Sequence, residues 1–450
     1  MTKFSSLEKI FLALTMVGGS LILFFPIQYL LIALIGLIAL VFLFIKPKYC
    51  FYLVIALSTY MSTLSTESQQ MPFNQTDILI TICFVSCLFK FVILNEYKKI
   101  NLSTKIDKWI VALLILYFVS GVTSVSHRGY QGFLRFGEVA ALFYTTVYFV
   151  RTKQVSISKI IKIMLIIGIF QSVLSIFQSI TGIGANFQDN RGYLGYLGIG
   201  SSLVWHGQGT TEHFNCLGAF LSSLLLFFIP IYNSIVKNKK AGNLIITILL
   251  AGIITTYSRN ALICLLVGIL FFYFYKTKNR IKFAASIAAI LLLIFEVYNF
   301  LKNTSYISTI SPRNDVWEYS MDVVTSSAHN LFFGTGLKSF SEVISVYMAN
   351  SYKFLHAHNL YLSTLLEMGV IGLTLSVSFL IYNFINAYTN INLSNKFLRV
   401  INFSICIYII SIFVLGIFDN TFQYFYTQVW LYIILGILYA KNPKLHTRNN

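Results

Sequence analysis

Two histidines, His356 and His358, stand two residues apart in the stretch HAHNLYLSTLLEMGVIGL. A histidine side chain ordinarily titrates near neutral pH, so it can take a proton from a substrate hydroxyl. A His-x-His pair can also bind a metal ion. However, the sequence shows no carboxylate or cysteine cluster on the same side of the chain that would complete a metal site. The pattern therefore favours proton transfer and predicts no metal.

Three arginines stand apart from the other basic residues. Arg259 lies in TTYSRNALICLL between two apolar runs, Arg191 lies in DNRGYLG, and Arg313 lies in SPRNDVW. A guanidinium group binds a phosphate through two parallel hydrogen bonds, which a lysine cannot do. We therefore predict that these arginines bind a diphosphate. The alternative is that Arg259 reaches water at a membrane edge and that polar residues simply collect in polar loops.

Three further charged residues lie inside apolar runs. Arg135 and Glu138 are three residues apart, so they share a helix face, and we interpret them as a structural ion pair. Glu367 follows His358 by nine residues, and Gly369 and Gly372 beyond it allow close helix packing.

The composition indicates what kind of structure positions these residues. The chain has 450 residues, of which 57% are hydrophobic and only 11% are charged, whereas a soluble domain carries about 25% charged residues. A membrane-spanning helix needs about 20 apolar residues. The sequence therefore predicts an all-α, polytopic helix bundle of about 12–14 spans, as one membrane domain over residues 1–450. The fourteen candidate runs are 9–25, 27–45, 49–64, 77–94, 109–125, 132–150, 160–181, 214–234, 243–257, 260–275, 283–301, 359–387, 398–418 and 424–440.

The basic residues predict an orientation for this bundle. With the N-terminus inside, 24 of the 33 lysines and arginines fall in inside segments, eight fall outside, and Lys90 lies within the fourth run. This bias is what the positive-inside rule expects. The net charge of +18 is therefore a topology signal and not a sign of nucleic-acid binding. Two long loops, 182–213 and 302–358, fall outside, and the second precedes the twelfth run and carries part of the site.

The six cysteines all lie in or at the edge of apolar runs, so we expect neither a disulfide nor a metal cage. The basic and apolar start of the chain has no small-residue cleavage site, and we interpret it as a retained first helix.

Four segments resemble the O-antigen ligase and polymerase family, which includes Wzy-type polysaccharide polymerases. HNLYLSTLLEMGVIGL places His358 at the family's key histidine, and TYSRNALI places Arg259. SPRNDVWEYSMDVVTSSAHNLFFGTGLKSF places Arg313 and Trp317, and GTTEHFNCLGAFL places Asn215. The resemblance covers roughly residues 185–375. The polar TSSAHN stretch departs from the proline-containing turn of many members.

The resemblance implies an inverting, metal-independent glycosyltransferase without a cofactor. It implies a sugar chain on undecaprenyl diphosphate as donor and an active site on the outer face of the bacterial cytoplasmic membrane. The charge alternation, in turn, predicts both termini inside. His358 would be the catalytic base, Arg191, Arg259 and Arg313 would bind the diphosphate, and five residues would support them. These five are Asn215, Trp317, His356, Asn359 and Glu367.

The shared motifs leave several functions open. A polymerase would join repeat units into a capsule, exopolysaccharide or O-antigen, together with a flippase and a chain-length regulator, whereas a ligase would pass the chain to another acceptor. We predict a polymerase. A flippase for the same lipids is a second class, but transporters place charged groups near the membrane midplane and often show internal repeats. A non-catalytic scaffold is a third class.

Overall fold

The computed structural model describes residues 27–60, 75–98, 100–185, 192–193, 203–277, 311–347, 356–392, 395–420 and 425–440. Helices make up most of these ranges, besides short 3-10 turns at Glu96–Lys98 and Asn390–Asn392 and an antiparallel pair of two-residue strands, β1 (Gly192–Tyr193) and β2 (Leu203–Val204). The helices are α1 (Ile27–Ile45), α2 (Pro47–Leu57), α3 (Gln75–Ile93), α4 (Asp107–Val122), α5 (Gly129–Arg151), α6 (Ile157–Thr181), α7 (Phe214–Ile235), α8 (Lys239–Thr255), α9 (Arg259–Lys276), α10 (Ser311–Thr325), α11 (Ala328–Phe333), α12 (Phe340–Tyr347), α13 (Leu360–Thr389), α14 (Lys396–Phe418) and α15 (Phe425–Ala440).

Seven helices in these ranges are long and apolar enough to cross a membrane, namely α3, α5, α6, α7, α9, α13 and α14. This confirms the predicted polytopic helix bundle. Each predicted run within the described ranges coincides with a helix, and the runs 9–25 and 283–301 lie outside them. Helices α1 and α2 meet at an angle of 110°. The count of 12–14 spans therefore remains a prediction.

The core of the bundle is apolar and aromatic. Helix α5 packs along α15, α7 along α14, and α6 along α8. Trp430 of α15 is fully buried, and its indole N–H donates to Ser58 Oγ after α2 at 2.7 Å. All six cysteines are buried free thiols, as predicted.

An ion-pair network links two of the spanning helices. Arg135 Nη1 of α5 lies 3.4 Å from Glu138 Oε2, which confirms the predicted pair. The same guanidinium also contacts Asp77 of α3, whose side chain is almost fully buried. This partner was not predicted, because nothing in the local sequence links the two helices.

The described part of the predicted 302–358 loop is helical. Residues 311–347 form α10, α11 and α12, whose apolar side chains pack together on the first part of α13. This small core consists of Val316, Val323, Val324, Phe340, Ile344, Ala357 and Leu366.

Helix α13 is broken at Gly369, where φ is +65°. A Cβ atom there would lie 2.3 Å from the backbone of Phe332, so only glycine fits. The break frees the carbonyls of Leu366 and Glu367, which accept hydrogen bonds from Thr335 N and Gly336 N, both at 2.9 Å. Close packing was predicted correctly at Gly369. At Gly372, a Cβ would instead meet Met368 of the same helix.

Candidate active site

A buried carboxylate stands at the centre of the candidate site. Asp419 caps the C-terminus of α14, and its side chain is 4% exposed. Its Oδ1 atom lies 3.4 Å from His356 Nε2 and 3.4 Å from His358 Nδ1, and it accepts the Asn420 N–H at 2.8 Å. Both predicted histidines therefore contact one oxygen atom, which the sequence did not indicate.

The charge state of this group follows from its surroundings. Burial alone would raise the pKa of Asp419, but the hydrogen bonds and charges of the two histidines outweigh it and hold the pKa well below the usual range. Burial is the main cause that lowers the pKa of His356, while Asp419 acts in the opposite direction. At neutral pH, Asp419 is therefore ionised and His356 is neutral.

Three hydrogen bonds hold the turn that carries the histidines. Trp317 Nε1 donates to the Ala357 carbonyl at 2.8 Å, and Ala357 N donates to Ser363 Oγ at 3.2 Å. Asn359 caps α13, since its Oδ1 accepts the Leu362 N–H at 3.0 Å. Two predicted supporting residues, Trp317 and Asn359, thus hold the backbone around His358.

His358 itself has a left-handed backbone conformation, with φ of +48°. Such a conformation is uncommon outside glycine and persists only where the surroundings fix it. It directs Nδ1 toward Asp419, and the His358 side chain is 27% exposed. When Nδ1 carries the proton toward the carboxylate, Nε2 is unprotonated, which is the form a general base needs.

The first turn of α9 adjoins this group. Asn260 Nδ2 donates to the carbonyl of Phe418, the residue before Asp419, at 3.2 Å. Arg259 begins α9 and is exposed. Ser258 Oγ donates to Asn215 Oδ1 at 2.9 Å, which fixes the start of α9 against the start of α7. The structure therefore places the first turn of α9, which begins with Arg259, next to the end of α14 that carries Asp419, and it places Asn215 against the residue before that turn.

Of the other two predicted arginines, Arg313 lies in the part of the chain that the structure describes. Arg313 is half-buried on α10, one helical turn before Trp317, so it shares the helix face that contacts the histidine turn. Arg191 lies outside the described residues.

Glu367 and Lys338 add opposite charges beside the histidines. Glu367 is buried on α13 before its break, and its carboxylate interacts with the backbone N–H groups of Lys338 and Phe340. The positive charge of Lys338 acts on Glu367, on Glu212 and on His356. Lys338 is exposed and follows the Gly334–Leu337 loop, so its amine is a further cation at this site.

One comparison with known proteins identifies the region. Residues 244–377 match the family model described as O-antigen ligase. This segment is similar to the O-antigen ligase family. The match supports a membrane function of the O-antigen ligase or polymerase type, and no curated protein matches the sequence.

The matched segment contains most of the predicted site residues. Arg259, Arg313, Trp317, His356, His358, Asn359 and Glu367 all fall inside residues 244–377. Asn215 precedes the segment, and Asp419 follows it by 42 residues. The tertiary structure therefore adds a residue to the candidate site from outside the matched segment.

The sequence interpretation missed two charged groups. It found no carboxylate beside His356 and His358, and this was wrong, because Asp419 is 61 residues beyond His358 in the chain. It also passed over Lys338, since one lysine in a polar stretch carries no signal by itself. The only local indication of Asp419 was its place, directly after an apolar run in IFDNT.

The acidic partner reopens the question of a metal. His356 Nε2, His358 Nδ1 and Asp419 Oδ1 all lie within 4.8 Å of one another, so each can offer one ligand atom to a metal ion. The residues present therefore fit either a proton-transfer group or a three-ligand metal site.

Proposed function

We propose that this protein is a membrane glycosyltransferase that polymerises undecaprenyl-diphosphate-linked oligosaccharide repeat units into a surface polysaccharide. The observation that carries the proposal is the contact of His358 Nδ1 with the buried Asp419, beside the first turn of α9. His358 lies in the segment that matches the O-antigen ligase model. A carboxylate that orients a histidine is a recurring arrangement for general-base catalysis.

The proposed reaction is a single displacement. His358 Nε2 takes the proton of an acceptor sugar hydroxyl while that oxygen forms a bond to the anomeric carbon of the donor. The bond from this carbon to the diphosphate oxygen breaks, and the diphosphate leaves with the electron pair. Attack opposite to the leaving group inverts the anomeric configuration. Asp419 stabilises the imidazolium that forms, with the sign and proximity expected of an ion pair.

The arginines act on the leaving group of the reaction, the diphosphate. Negative charge grows on the departing diphosphate, and preorganised cations lower the energy of that state. Arg259 and Arg313 are the proposed contacts, with Arg191 as the third and Lys338 as an added cation. Trp317, Asn359 and Asn215 hold the backbone segments that carry these groups.

Metal independence is part of the proposal. The Asp419 oxygen already accepts the Asn420 N–H, and burial lowers the pKa of His356, which supports a proton-transfer group. Dialysis against a chelator should leave the rate unchanged, and added Zn²⁺ should inhibit by occupying the base. A rate lost on chelation and restored by one stoichiometric metal ion would instead assign a metal-dependent reaction.

The deciding experiment uses the purified protein with a defined undecaprenyl-diphosphate-linked repeat unit. We expect chain growth, and we expect it to stop in the His358→Gln variant, which keeps a hydrogen-bonding side chain but takes no proton. The matched control is His356→Ala, from which we expect a milder defect. Retention of most of the rate in His358→Gln, with an unchanged pH profile, would make His358 a positioning residue.

The same assay separates the alternative functions. Transfer to a different acceptor without chain growth would identify a ligase. Movement of the lipid-linked sugar across a vesicle membrane without bond formation would identify a flippase. Neither product would favour a scaffold. The flippase and chain-length regulator of the same pathway are the proposed protein partners.

The proposed location is the bacterial cytoplasmic membrane, as one membrane domain with both termini inside and the loops 182–213 and 302–358 outside. Single cysteines on a background without the native ones test this orientation. Asp322 and Glu212 are exposed, and one lies in each loop. Asp322→Cys and Glu212→Cys should both react with an impermeant thiol reagent in intact cells, and Lys237→Cys should react only after lysis.

A further inference from the structure

A basic cleft lies at the end of the bundle opposite the histidine turn. It is formed where α1 meets α2 and where α3 ends, and its volume is about 230 Å³. Its lining consists of Ile45, Lys46, Pro47, Lys48, Lys90 and Gln154. We propose that this cleft binds an anionic phospholipid through its headgroup phosphate. The proposal is independent of the reaction proposed above.

The first argument is charge. Three lysines and no carboxylate line the cleft. The two acidic side chains described at this end of α4 and α5 already have partners, since Glu96 accepts the Tyr148 hydroxyl at 2.5 Å and Asp107 accepts the Tyr144 hydroxyl at 2.8 Å. The lysine charges are therefore not neutralised by an acid within the cleft lining, and an external anion would complement them.

The second argument is position. Cleft residue Ile45 is 56% exposed, and Phe42 on α1 and Phe89 and Ile93 on α3 are also exposed beside it. These side chains belong to apolar helices of membrane type, so they face lipid. A phosphate with acyl chains would contact both the lysines and this apolar rim, whereas a free phosphate would contact the lysines only.

The third argument is the size of the cleft and the way its segments are joined. The cleft is smaller than the roughly 300–1,000 Å³ of a drug-sized ligand pocket, so it suits a headgroup whose chains stay in the bilayer. Lys90 Nζ donates to the Ile45 carbonyl at 3.1 Å, which joins the end of α3 to the bend between α1 and α2. The lining comes from three separate segments, so the bound headgroup would stabilise their arrangement.

The test measures binding of phosphatidylglycerol and phosphatidylcholine to the purified full-length protein by native mass spectrometry with titration. The cleft variant is Lys46→Gln/Lys48→Gln/Lys90→Gln. A matched triple variant, Lys237→Gln/Lys239→Gln/Lys240→Gln, removes the same charge from another segment on the predicted inside face. Each lysine near a surface contributes roughly a fivefold change in affinity for anionic lipid. We therefore expect the cleft variant to lose at least tenfold in phosphatidylglycerol affinity, and the matched variant much less.

Three results would overturn the proposal. They are equal weakening by both triple variants, equal binding of the two lipids to the native protein, and displacement of phosphatidylglycerol by millimolar inorganic phosphate, which would identify a free-anion site. If the cleft variant does not fold, Gln154→Glu replaces it, because it adds a carboxylate to the exposed lining and leaves every lysine in place. That variant should show the same selective loss of phosphatidylglycerol, and native affinity in it would also refute the proposal.

Discussion

Replacement of Asp419 by asparagine should lower the rate of transfer. The substitution keeps the shape of the side chain and an oxygen for the Asn420 N–H, but it removes the negative charge beside His358. The anion stabilises the imidazolium that forms when His358 takes a proton from the acceptor hydroxyl, so its removal disfavours that step. The rate should therefore fall by about 10²–10⁴-fold.

The size of the effect follows from the geometry. The His358 Nδ1 to Asp419 Oδ1 distance is 3.4 Å, at which two unit charges interact by about 1 kcal/mol in water and about 5 kcal/mol at an effective dielectric constant of 20. Asp419 is nearly buried while His358 is 27% exposed, so the interaction lies between these limits. Since about 1.4 kcal/mol changes a rate tenfold, an interaction toward the upper limit accounts for a loss in this range.

The prediction depends on the charge of Asp419. Because its pKa is held below the usual range, the carboxylate stays ionised throughout a neutral assay and contributes stability that is lost only in strong acid. The asparagine variant therefore removes a charge that is present under the assay conditions. Single-turnover rates at neutral pH would measure the loss, with thermal unfolding as the control for folding. A near-normal rate in the folded variant would refute the reasoning.

Three further substitutions test the parts that surround this pair. Arg259→Lys should lower kcat/KM by about 10–100-fold, because a point charge cannot replace two charge-assisted hydrogen bonds, whereas Arg128→Lys should have little effect; equal rates in the two variants would remove Arg259 from the diphosphate site. Trp317→Phe should reduce activity by about 5–30-fold, because the Ala357 carbonyl loses its donor, and a fully active variant would show that the turn is held without it. Gly369→Ala should destabilise the fold by at least about 2 kcal/mol in thermal unfolding, whereas Gly137→Ala, where a Cβ meets nothing within 4 Å, should not, and similar melting of the two would refute the proposed steric role of the break.

Most of the helices could be predicted, because a membrane leaves the backbone few other ways to pair its polar groups. The predicted run 214–234 coincides with Phe214–Ile235, and 398–418 with Lys396–Phe418. Breaks were harder to predict. Gly369 lies within an uninterrupted apolar pattern, and only the backbone approach of Phe332 shows why the helix turns there. The helical content of residues 311–347 was also missed, because short amphipathic helices in a polar connection lack the apolar length of a span.

The candidate site was predictable only where one motif carries both the residue and its role. His358 and Arg259 each lie in such a motif, and both adjoin the group around Asp419. Asp419 depends on the packing of α14 against α9 and on the start of α13, which no local spacing reports. The resemblance covers residues up to about 375, so it also ended before Asp419.

The position of the site at helix ends has a physical cause. A charged side chain within a lipid-facing helix is strongly disfavoured, but the ends of α9 and α14 and the start of α13 leave polar backbone groups that need partners. Asn260 and Asn359 supply such partners, and Asn260 at the same time links the first turn of α9 to the residue before Asp419. The break at Gly369 acts on this arrangement from the other side, because it docks the first part of α13 onto residues 334–337, and Lys338 follows directly. The geometry of the histidine turn is therefore set by a short helix segment that is fixed at both ends, rather than by the full length of α13.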